Sequence, residues 1–294
     1  MYISGFVAVV GRPNVGKSTL INALMGEKVL IVSDKPQTTR NRIQAVLTAD
    51  DFQVVFVDTP GIHKPKHQLG DYMVQSALGT LSEVDLVLLV VEATAPPGPG
   101  DKYIAELLKS TQVPIMLVVN KMDLAPADFG ASWFQLYLDL LPFQGQLKVS
   151  AQAGENMAEL LQEILRFLPE GPMYYPQDMI MDRPLNFQVS EVIREKILQQ
   201  TREEVPHSIA VDVTKLAPRE DKELVDIHAV VFVEKDSQKK IIIGKGGQRL
   251  KSIGQEARAE LEEILESPVY LDLWVKVKPD WRRKQNVLRQ LGYV

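Results

Sequence analysis

With 294 residues, 45% hydrophobic and 24% charged, the chain has room for one large domain or two ordinary ones and the balance of a soluble globular protein. It has no cysteine, which excludes disulfides and thiolate zinc sites and suits a reducing cytoplasm. The net charge of −5 conceals an asymmetry: residues 235–294 hold 13 Lys/Arg against 8 Asp/Glu and the rest 20 against 30, so an acidic body carries a basic end that implies an anionic partner or a solvated helical face.

Met1 leads almost at once into residues 6–10, a buried-strand run, so no signal peptide is expected. Lys17–Met25 is patterned as a helix that stops at Gly26. Residues 43–47 and 53–57 flank Asp50 and Asp51 as a hairpin. Residues 86–91, 115–119 and 147–149 continue the strands, and the longest apolar run, 86–91, is far too short to cross a bilayer. Helical segments fall between them at 72–81, 102–110 and 133–140, and a last one at 157–168. This alternation predicts a mostly parallel sheet covered on both faces over residues 1–170. Residues 171–184 are proline-rich without a period and read as a linker. From 185 to 294 the pattern becomes α+β: a helix at 187–204, strands at 209–216 and 224–233, an apolar triplet at 241–243 running into glycines, a long helix at 248–265 and a strand at Val269–Val277. No internal repeat is visible.

Gly11, Arg12, Pro13, Asn14, Val15, Gly16, Lys17 and Ser18 fit G-x-x-x-x-G-K-[ST] between a strand and a helix, the setting a phosphate-binding loop requires. Gly11 and Gly16 let backbone N–H groups turn inward around phosphates. The first turn of the helix, with Thr19, adds a partial positive charge. Lys17 is placed to reach the β- and γ-phosphates, and the Ser18 hydroxyl to bind Mg²⁺. Asp58, Thr59, Pro60 and Gly61 follow the second hairpin strand. Asp58 can hold Mg²⁺ through water, and the Gly61 N–H can sense the γ-phosphate. Asn120, Lys121, Met122 and Asp123 follow the strand at 115–119. Asp123 can accept two hydrogen bonds from the N1–H and exocyclic amine of guanine, a donor pair adenine lacks. Ser150 and Ala151 end the last short strand, where a backbone N–H can meet guanine O6. All four segments lie at strand C-termini, on the edge where such sheets bind ligands.

These motifs resemble the translation-factor class of GTPases, in its Era-like branch, over residues 1–170. The resemblance implies hydrolysis of GTP to GDP and phosphate, with Mg²⁺, and a switch threonine between the first two motifs. Gln37, Thr38, Thr39 and Arg40 match that element. Thr39 is favoured as the Mg²⁺ and γ-phosphate ligand because it directly precedes the arginine; Thr38 is the alternative. The resemblance thus implies Ser18, Thr39 and Asp58 as metal ligands and Lys17, Thr39, Gly61 and Asn14 as the catalytic set. Ile62 stands where Ras-like proteins carry a water-orienting glutamine, so intrinsic turnover is expected at about 10⁻² s⁻¹ or below. In related GTPases an asparagine at the position of Asn14 helps bind K⁺, so K⁺ stimulation is expected.

Ile243, Gly244, Lys245, Gly246 and Gly247 form a second glycine loop, G-x-x-G, with Arg249 and Lys251 following on a helix. A G-x-x-G joining two helices beside a sheet is how KH modules clamp the backbone of about four single-stranded nucleotides. The surrounding order of helix, strand, strand, loop, helix and strand resembles a type II KH domain. Downstream, Trp274, Lys276 and Lys278 alternate on one strand face, and Trp281 precedes Arg282 and Arg283; such residues can stack on bases and neutralise phosphates. The implied fold class is an α/β phosphate-loop GTPase domain followed by a smaller α+β type II KH domain. Within the branch, that combination is similar to the Era family over nearly the whole chain. It implies binding to the single-stranded 3′ end of 16S rRNA and assistance to the 30S ribosomal subunit or its precursor. It further implies a monomer, no DNA partner, and a cytoplasmic location with peripheral contact at the inner membrane.

Other functions compete on the same motifs. One is a GTPase serving RNA modification, which would need a catalytic constellation of its own; the four histidines, His63, His67, His207 and His228, are scattered. Another is a constitutive RNA-binding protein in which GTP only stabilises the fold, marked by RNA affinity independent of nucleotide. A third is a membrane-surface role for the basic end, marked by vesicle binding that competes with RNA.

Overall fold

The computed structural model describes residues 1–35, 37–62, 68–127, 129, 133–220 and 222–293. The main division of the chain falls between Asp182 and Arg183, giving two compact units.

In the first unit β1 (Ile3–Val10), β3 (Phe52–Asp58), β4 (Leu86–Glu92), β5 (Ile115–Asn120) and β6 (Gly145–Lys148) run parallel, and β2 (Ile43–Thr48) pairs antiparallel with β3. The strand order is β2-β3-β1-β4-β5-β6. The central strands are buried on both faces, which is why they read as continuous apolar runs rather than alternating ones. Helices α2 (Gln68–Thr80), α3 (Pro99–Leu108) and α4 (Phe134–Leu138) pack Ala77, Ile104, Leu108 and Tyr137 against Ala8, Val10, Leu89 and Val119. Helices α1 (Lys17–Met25) and α5 (Met157–Phe167) touch each other and bury Leu20, Ile21, Leu160 and Ile164 outside that cluster. The doubly covered parallel sheet expected from the sequence is thus present. Because the parallel strands point one way, Val10, Asp58 and Asn120 reach the same edge, and the glycine and aspartate motifs leave from it.

The second unit holds a three-stranded sheet in the order β7-β8-β9, with β7 (Ala210–Pro218) antiparallel to β8 (Val225–Val233) and β9 (Val269–Val277) parallel to it. Helices α6 (Leu185–Gln200) and α9 (Gln248–Ile264) cover one face, where Ile193, Ile197, Ile253, Ala257 and Leu261 meet Ile227, Val231 and Val275. The short α7 (Val205–Ser208) leads into β7. Besides the one-turn α7, two elements were not expected as helices from the sequence. Residues 241–243 are the end of α8 (Asp236–Ile243), whose start is fixed by Gln238: its side-chain oxygen accepts the backbone N–H groups of Glu234 and Lys235 at 2.9 and 3.0 Å. Near the end of the chain, α10 (Gln285–Gln290) packs beneath Trp281, which is fully buried. The indole of Trp281 donates to the Ser208 carbonyl at 2.8 Å and stacks on Tyr293 at 5.8 Å, so it is a core residue and not a stacking surface for bases.

Residues 171–182, read from the sequence within a linker, lie along the first unit. The Gly171 N–H donates to the Tyr2 carbonyl, and the Ser4 hydroxyl to the Pro172 carbonyl. Farther on, Val46 N–H donates to Ile180 O, Asp182 N–H to Gln44 O, and Gln44 N–H to the Asp182 carboxylate, so 180–182 extends the free edge of β2. Gln53 ties the middle of the segment. Its side chain is fully buried, accepts the N–H groups of Tyr174 (2.7 Å) and Tyr175 (2.9 Å), and donates to the Tyr175 carbonyl (2.9 Å) and the Thr48 hydroxyl (3.0 Å). A glutamine inside an apolar strand run was the sequence signal for this attachment. Gln53→Leu keeps the volume but leaves the N–H groups of Tyr174 and Tyr175 without their acceptor in a partly buried site, and is expected to cost about 1–3 kcal/mol. Urea titration should show the lowered midpoint, and limited proteolysis should cut first within 171–182. A wild-type midpoint and cutting pattern would contradict this assignment.

Candidate nucleotide site and nucleic-acid groove

The loop from Gly11 to Gly16 joins β1 to α1. Lys17 is buried, and its ammonium donates back to the carbonyls of Gly11 (3.2 Å) and Arg12 (2.9 Å). Burial pulls the Lys17 pKa down to about 8, against the opposing charge of Asp58. Ser18 Oγ donates to Asp58 Oδ2 at 3.0 Å, Thr39 Oγ1 donates to the same oxygen at 2.9 Å, and the two hydroxyls lie 3.1 Å apart. The hydroxyl of Thr39, the threonine favoured from the sequence, thus lies beside Ser18 and Asp58. Burial raises the Asp58 pKa, opposed by Lys17 and by the hydroxyls of Thr39 and Ser18. The other Asp58 oxygen is buried without a hydrogen-bond partner among the described residues. One carboxylate with two hydroxyls is a hard-oxygen set suited to Mg²⁺, which takes few protein ligands and completes its shell with phosphate and water.

The remaining residues of the loop have distinct placements. Arg12 turns its guanidinium away to Asp101 (2.8 Å) and Glu92 (3.2 Å), so only its backbone serves the loop. Asn14 is exposed, with φ 66°. Val15 is buried and Thr19 sits half-buried in the first turn of α1. Thr59 anchors its segment by donating to the Val9 carbonyl at 2.8 Å, and Pro60 is buried beside it. Gly61 packs against Pro13 so closely that a Cβ would lie 2.8 Å from the proline nitrogen. Ile62, where a water-orienting glutamine could stand, is sealed in the core. Residues 63–67, the continuation of the segment expected to respond to the γ-phosphate, lie outside the described residues.

Asn120 joins the phosphate side to the base side. Its Nδ2 donates to the Val15 carbonyl at 3.0 Å, and its Oδ1 accepts the Ala151 N–H at 3.0 Å. The approach to the loop is so close that a Cβ on Gly16 (φ 95°) would lie 2.3 Å from Asn120 Nδ2. Lys121 donates to the Asn14 carbonyl and to Glu92, each at 2.7 Å. Ser150 Oγ donates to Asp123 Oδ1 at 2.5 Å and accepts the Ala153 N–H at 3.2 Å. Sequence reasoning missed Glu92 and Asp101. Glu92 carried a signal, an acid closing an otherwise apolar strand.

In the second unit the G-x-x-G loop joins α8 to α9. Lys245 and Gly246 are exposed, Ile243 is half-buried against the core, and Gly244 (φ 73°) admits Arg249 beside it. Arg249 donates to the Ile241 carbonyl at 2.5 Å and so closes the end of α8. A groove of about 440 Å³ runs from Gly247 along Leu250, Lys251 and Gly254 of α9, faced by Leu271 and Leu273 of β9. Trp274 and Lys276 are not in it. The side chains of a strand alternate, so these two share the opposite face of β9 from Leu271 and Leu273. Trp274 is 60% exposed there, its indole donating to Asp272 at 2.8 Å. Lys278 bonds Gln290 and lies over the Phe232 ring, Arg282 pairs with Glu234, and Arg283 is exposed away from the groove lining. The groove-lining leucines and Gly254 were not singled out from the sequence, because apolar residues on a helix and a strand read as core.

Residues 6–121 match the family model for a 50S ribosome-binding GTPase, and residues 204–282 match that for a KH domain. GTPase Era of Staphylococcus epidermidis is 52% identical over 291 residues, covering 99% of this chain and 97% of that protein. The chain belongs to the Era family of GTPases. GTPase Era of Alkaliphilus oremlandii is 53% identical over 290 residues, with 99% and 98% coverage. Two solved Era structures match the chain over nearly its whole length. A variant of Aquifex aeolicus Era bound to GDP·AlF4⁻ gives a TM-score of 0.95 at 44% identity, covering 99% of each chain. Era in complex with MgGDPNP and nucleotides 1506–1542 of 16S ribosomal RNA gives 0.96 at 44% identity, covering 100% of each.

In this Era-family chain the weld at Asn120 sets a clear test. Asn120→Asp keeps the acceptor for Ala151 but turns the donor to Val15 into a buried anion facing a carbonyl. The expected loss is about 2–4 kcal/mol of guanine-nucleotide affinity, roughly 30- to 1,000-fold in GDP dissociation constant. Calorimetric titration measures it; a change under threefold would mean that the loops hold their places without this bond.

Proposed function

We propose that this GTPase is a nucleotide-controlled switch that binds the single-stranded 3′ end of 16S rRNA through the groove of its second unit and assists assembly of the 30S subunit. The observation that carries the reading is the meeting of Ser18, Thr39 and Asp58 at 2.9–3.1 Å in one unit, with a G-x-x-G groove in the other. The RNA complex of a 44% identical Era supports the choice of partner. Ser18, Thr39 and Asp58 hold Mg²⁺, which neutralises charge on the β- and γ-phosphates. Lys17 turns from the carbonyls of Gly11 and Arg12 to the phosphate oxygens, and the backbone N–H groups from Asn14 to Thr19 complete the cradle. Asp123 takes the guanine edge, held in place by Ser150, while Ala151 presents its N–H to guanine O6. Gly61 senses the γ-phosphate.

Thr39 precedes β2, and the free edge of β2 carries 180–182, the last residues before the second unit. A shift of Thr39 with the γ-phosphate therefore reaches the entry to the second unit through one strand. With Ile62 buried, water orientation falls to the backbone, and exposed Asn14 contributes to a K⁺ site that replaces an arginine finger. The site of action is the cytoplasm, with peripheral contact at the inner membrane tested by co-sedimentation with anionic vesicles.

The deciding experiment measures affinity for a short single-stranded RNA from the 16S rRNA 3′ end, at one salt concentration, with a non-hydrolysable GTP analogue and with GDP. Tighter binding with the analogue is expected; equal binding rejects nucleotide control and favours a constitutive RNA-binding protein. Gly246→Asp should weaken RNA roughly tenfold or more by repelling phosphate, with GDP affinity unchanged. Turnover should be faster in KCl than in matched NaCl, and Asn14→Ala should erase the difference.

A further inference from the structure

The side chain of Arg12 leaves the phosphate loop for the first turn of α3, an element that carries none of the nucleotide motifs. Two residues of that turn are fitted to it. Asp101 is 1% exposed, and its two oxygens are divided: Oδ2 accepts the N–H of Gly98 at 2.9 Å, and Oδ1 accepts Arg12 Nε at 2.8 Å. Starting the helix needs only the first of these bonds, and a neutral amide at this position serves it as well. The buried charge is accounted for by the second. Gly100 sits where a Cβ would lie 2.6 Å from Arg12 Cδ and 3.2 Å from Cγ. Its φ is not positive, so the backbone would accept alanine, a better helix former. The stem of Arg12 would not.

What such a brace holds is the orientation of peptide planes. A trans peptide points its C=O and N–H in opposite directions, so a carbonyl held outside the loop turns the following N–H toward the phosphates. The carbonyls of Asn14 and Val15 are held by Lys121 at 2.7 Å and Asn120 at 3.0 Å. The Arg12 carbonyl accepts from Lys17 at 2.9 Å, and Lys17 turns to the phosphates in the function proposed above. Once Lys17 has turned, the side chain of Arg12 still fixes its own segment from outside, through Asp101 and, at 3.2 Å, through Glu92. We propose that Asp101, acting through Arg12, is a positioning residue that keeps the loop shaped around bound nucleotide and so sets the rate of GDP release, an inference that rests on the nucleotide reading of the loop. Displacement of the first turn of α3 then shortens nucleotide residence without any contact to the nucleotide.

The test follows displacement of a fluorescent GDP analogue from the whole chain by excess GDP, with the association rate measured alongside. Asp101→Asn keeps an acceptor for Gly98 and removes the charge facing Arg12. Release is expected to be about tenfold faster and association to change less than about twofold, since contacts that hold a bound state act mainly on dissociation. Arg12→Ala should speed release as much. The double variant should be no faster than Arg12→Ala, because Asp101 has nothing to act through once the arginine is gone. Factors that multiply in the double variant would show that Asp101 serves only its own helix, and overturn the proposal. Gly100→Ala changes no charge and favours the helix, so it decides the matter even if Asp101→Asn does not fold. Release about threefold faster or more is expected there, and a wild-type rate overturns the proposal. Failure of the unsubstituted chain to bind the analogue would instead remove the nucleotide reading itself, and this inference with it.

Discussion

A carboxylate buried at the end of β3 is the constraint around which the first unit is arranged. Taking a charge out of water costs several kcal/mol unless it is paired and hydrogen-bonded. Asp58 meets that cost with groups drawn from two separate stretches of chain: Lys17 and Ser18 at the start of α1, and Thr39 ahead of β2. Burial drives both members of the charged pair toward neutrality, Lys17 down to about 8 and Asp58 upward, while each opposes the shift of the other. The result is a cation and an anion held close with unspent capacity. Lys17 is bonded only to backbone carbonyls, and one Asp58 oxygen is unpartnered among the described residues. A phosphate chain carrying a divalent cation satisfies both at once.

The two halves of the molecule recognise ligands by opposite means. Around the sheet edge of the first unit, loops are welded to one another. Asn120 joins the Val15 carbonyl to the Ala151 amide, and Glu92 holds Arg12 and Lys121 together. Such a site is preorganised, so little freedom is lost on binding. Among the described residues, the lining of the second unit's groove has no comparable network. It offers shape, an apolar wall and a few cations at the rim, which suits a flexible strand whose bases are recognised through their faces as much as their edges.

The legibility of these features in the sequence follows from their physics. The parallel sheet could be read because strands buried on both faces leave unbroken apolar runs, and the phosphate loop because its glycines are fixed in spacing by backbone geometry. Lys17, Ser18, Asp58, Asn120 and Asp123 came with their motifs. Thr39 was favoured over Thr38 by its place before Arg40, and its hydroxyl lies on Asp58. The attachment of 171–182 was hidden because a proline-rich segment without periodicity looks the same whether it is tethered or free; Gln53 alone betrayed it. Helix α8 was obscured because its apolar residues cluster at its end, and its starting signal is a side chain reaching backward to Glu234 and Lys235. Trp281 and Trp274 illustrate the limit most clearly. Both sit among cations in the sequence, yet one is fully buried and the other is 60% exposed on the far side of its strand from the groove. Strand parity placed Trp274 and Lys276 on one face, but which face borders the glycine loop depends on helix packing that no local pattern encodes.

The same contacts bound how strong a switch this architecture can be. Thr39 is tied to Asp58 by one hydrogen bond to a charged acceptor, a class worth about 1.5–3 kcal/mol. Contacts of Thr39 that differ between GTP and GDP can therefore redistribute conformations by roughly ten- to a hundredfold, the ordinary range for coupling between sites. That free energy has a defined way out: β2 is an edge strand, its other side is paired to the rigid β3, and its free side carries 180–182. On the switch reading proposed above, a displacement at the Thr39 end would act on a strand held along β3 on one side and along 180–182 on the other, so the attachment of 171–182 would be part of the signalling path and not only of the fold.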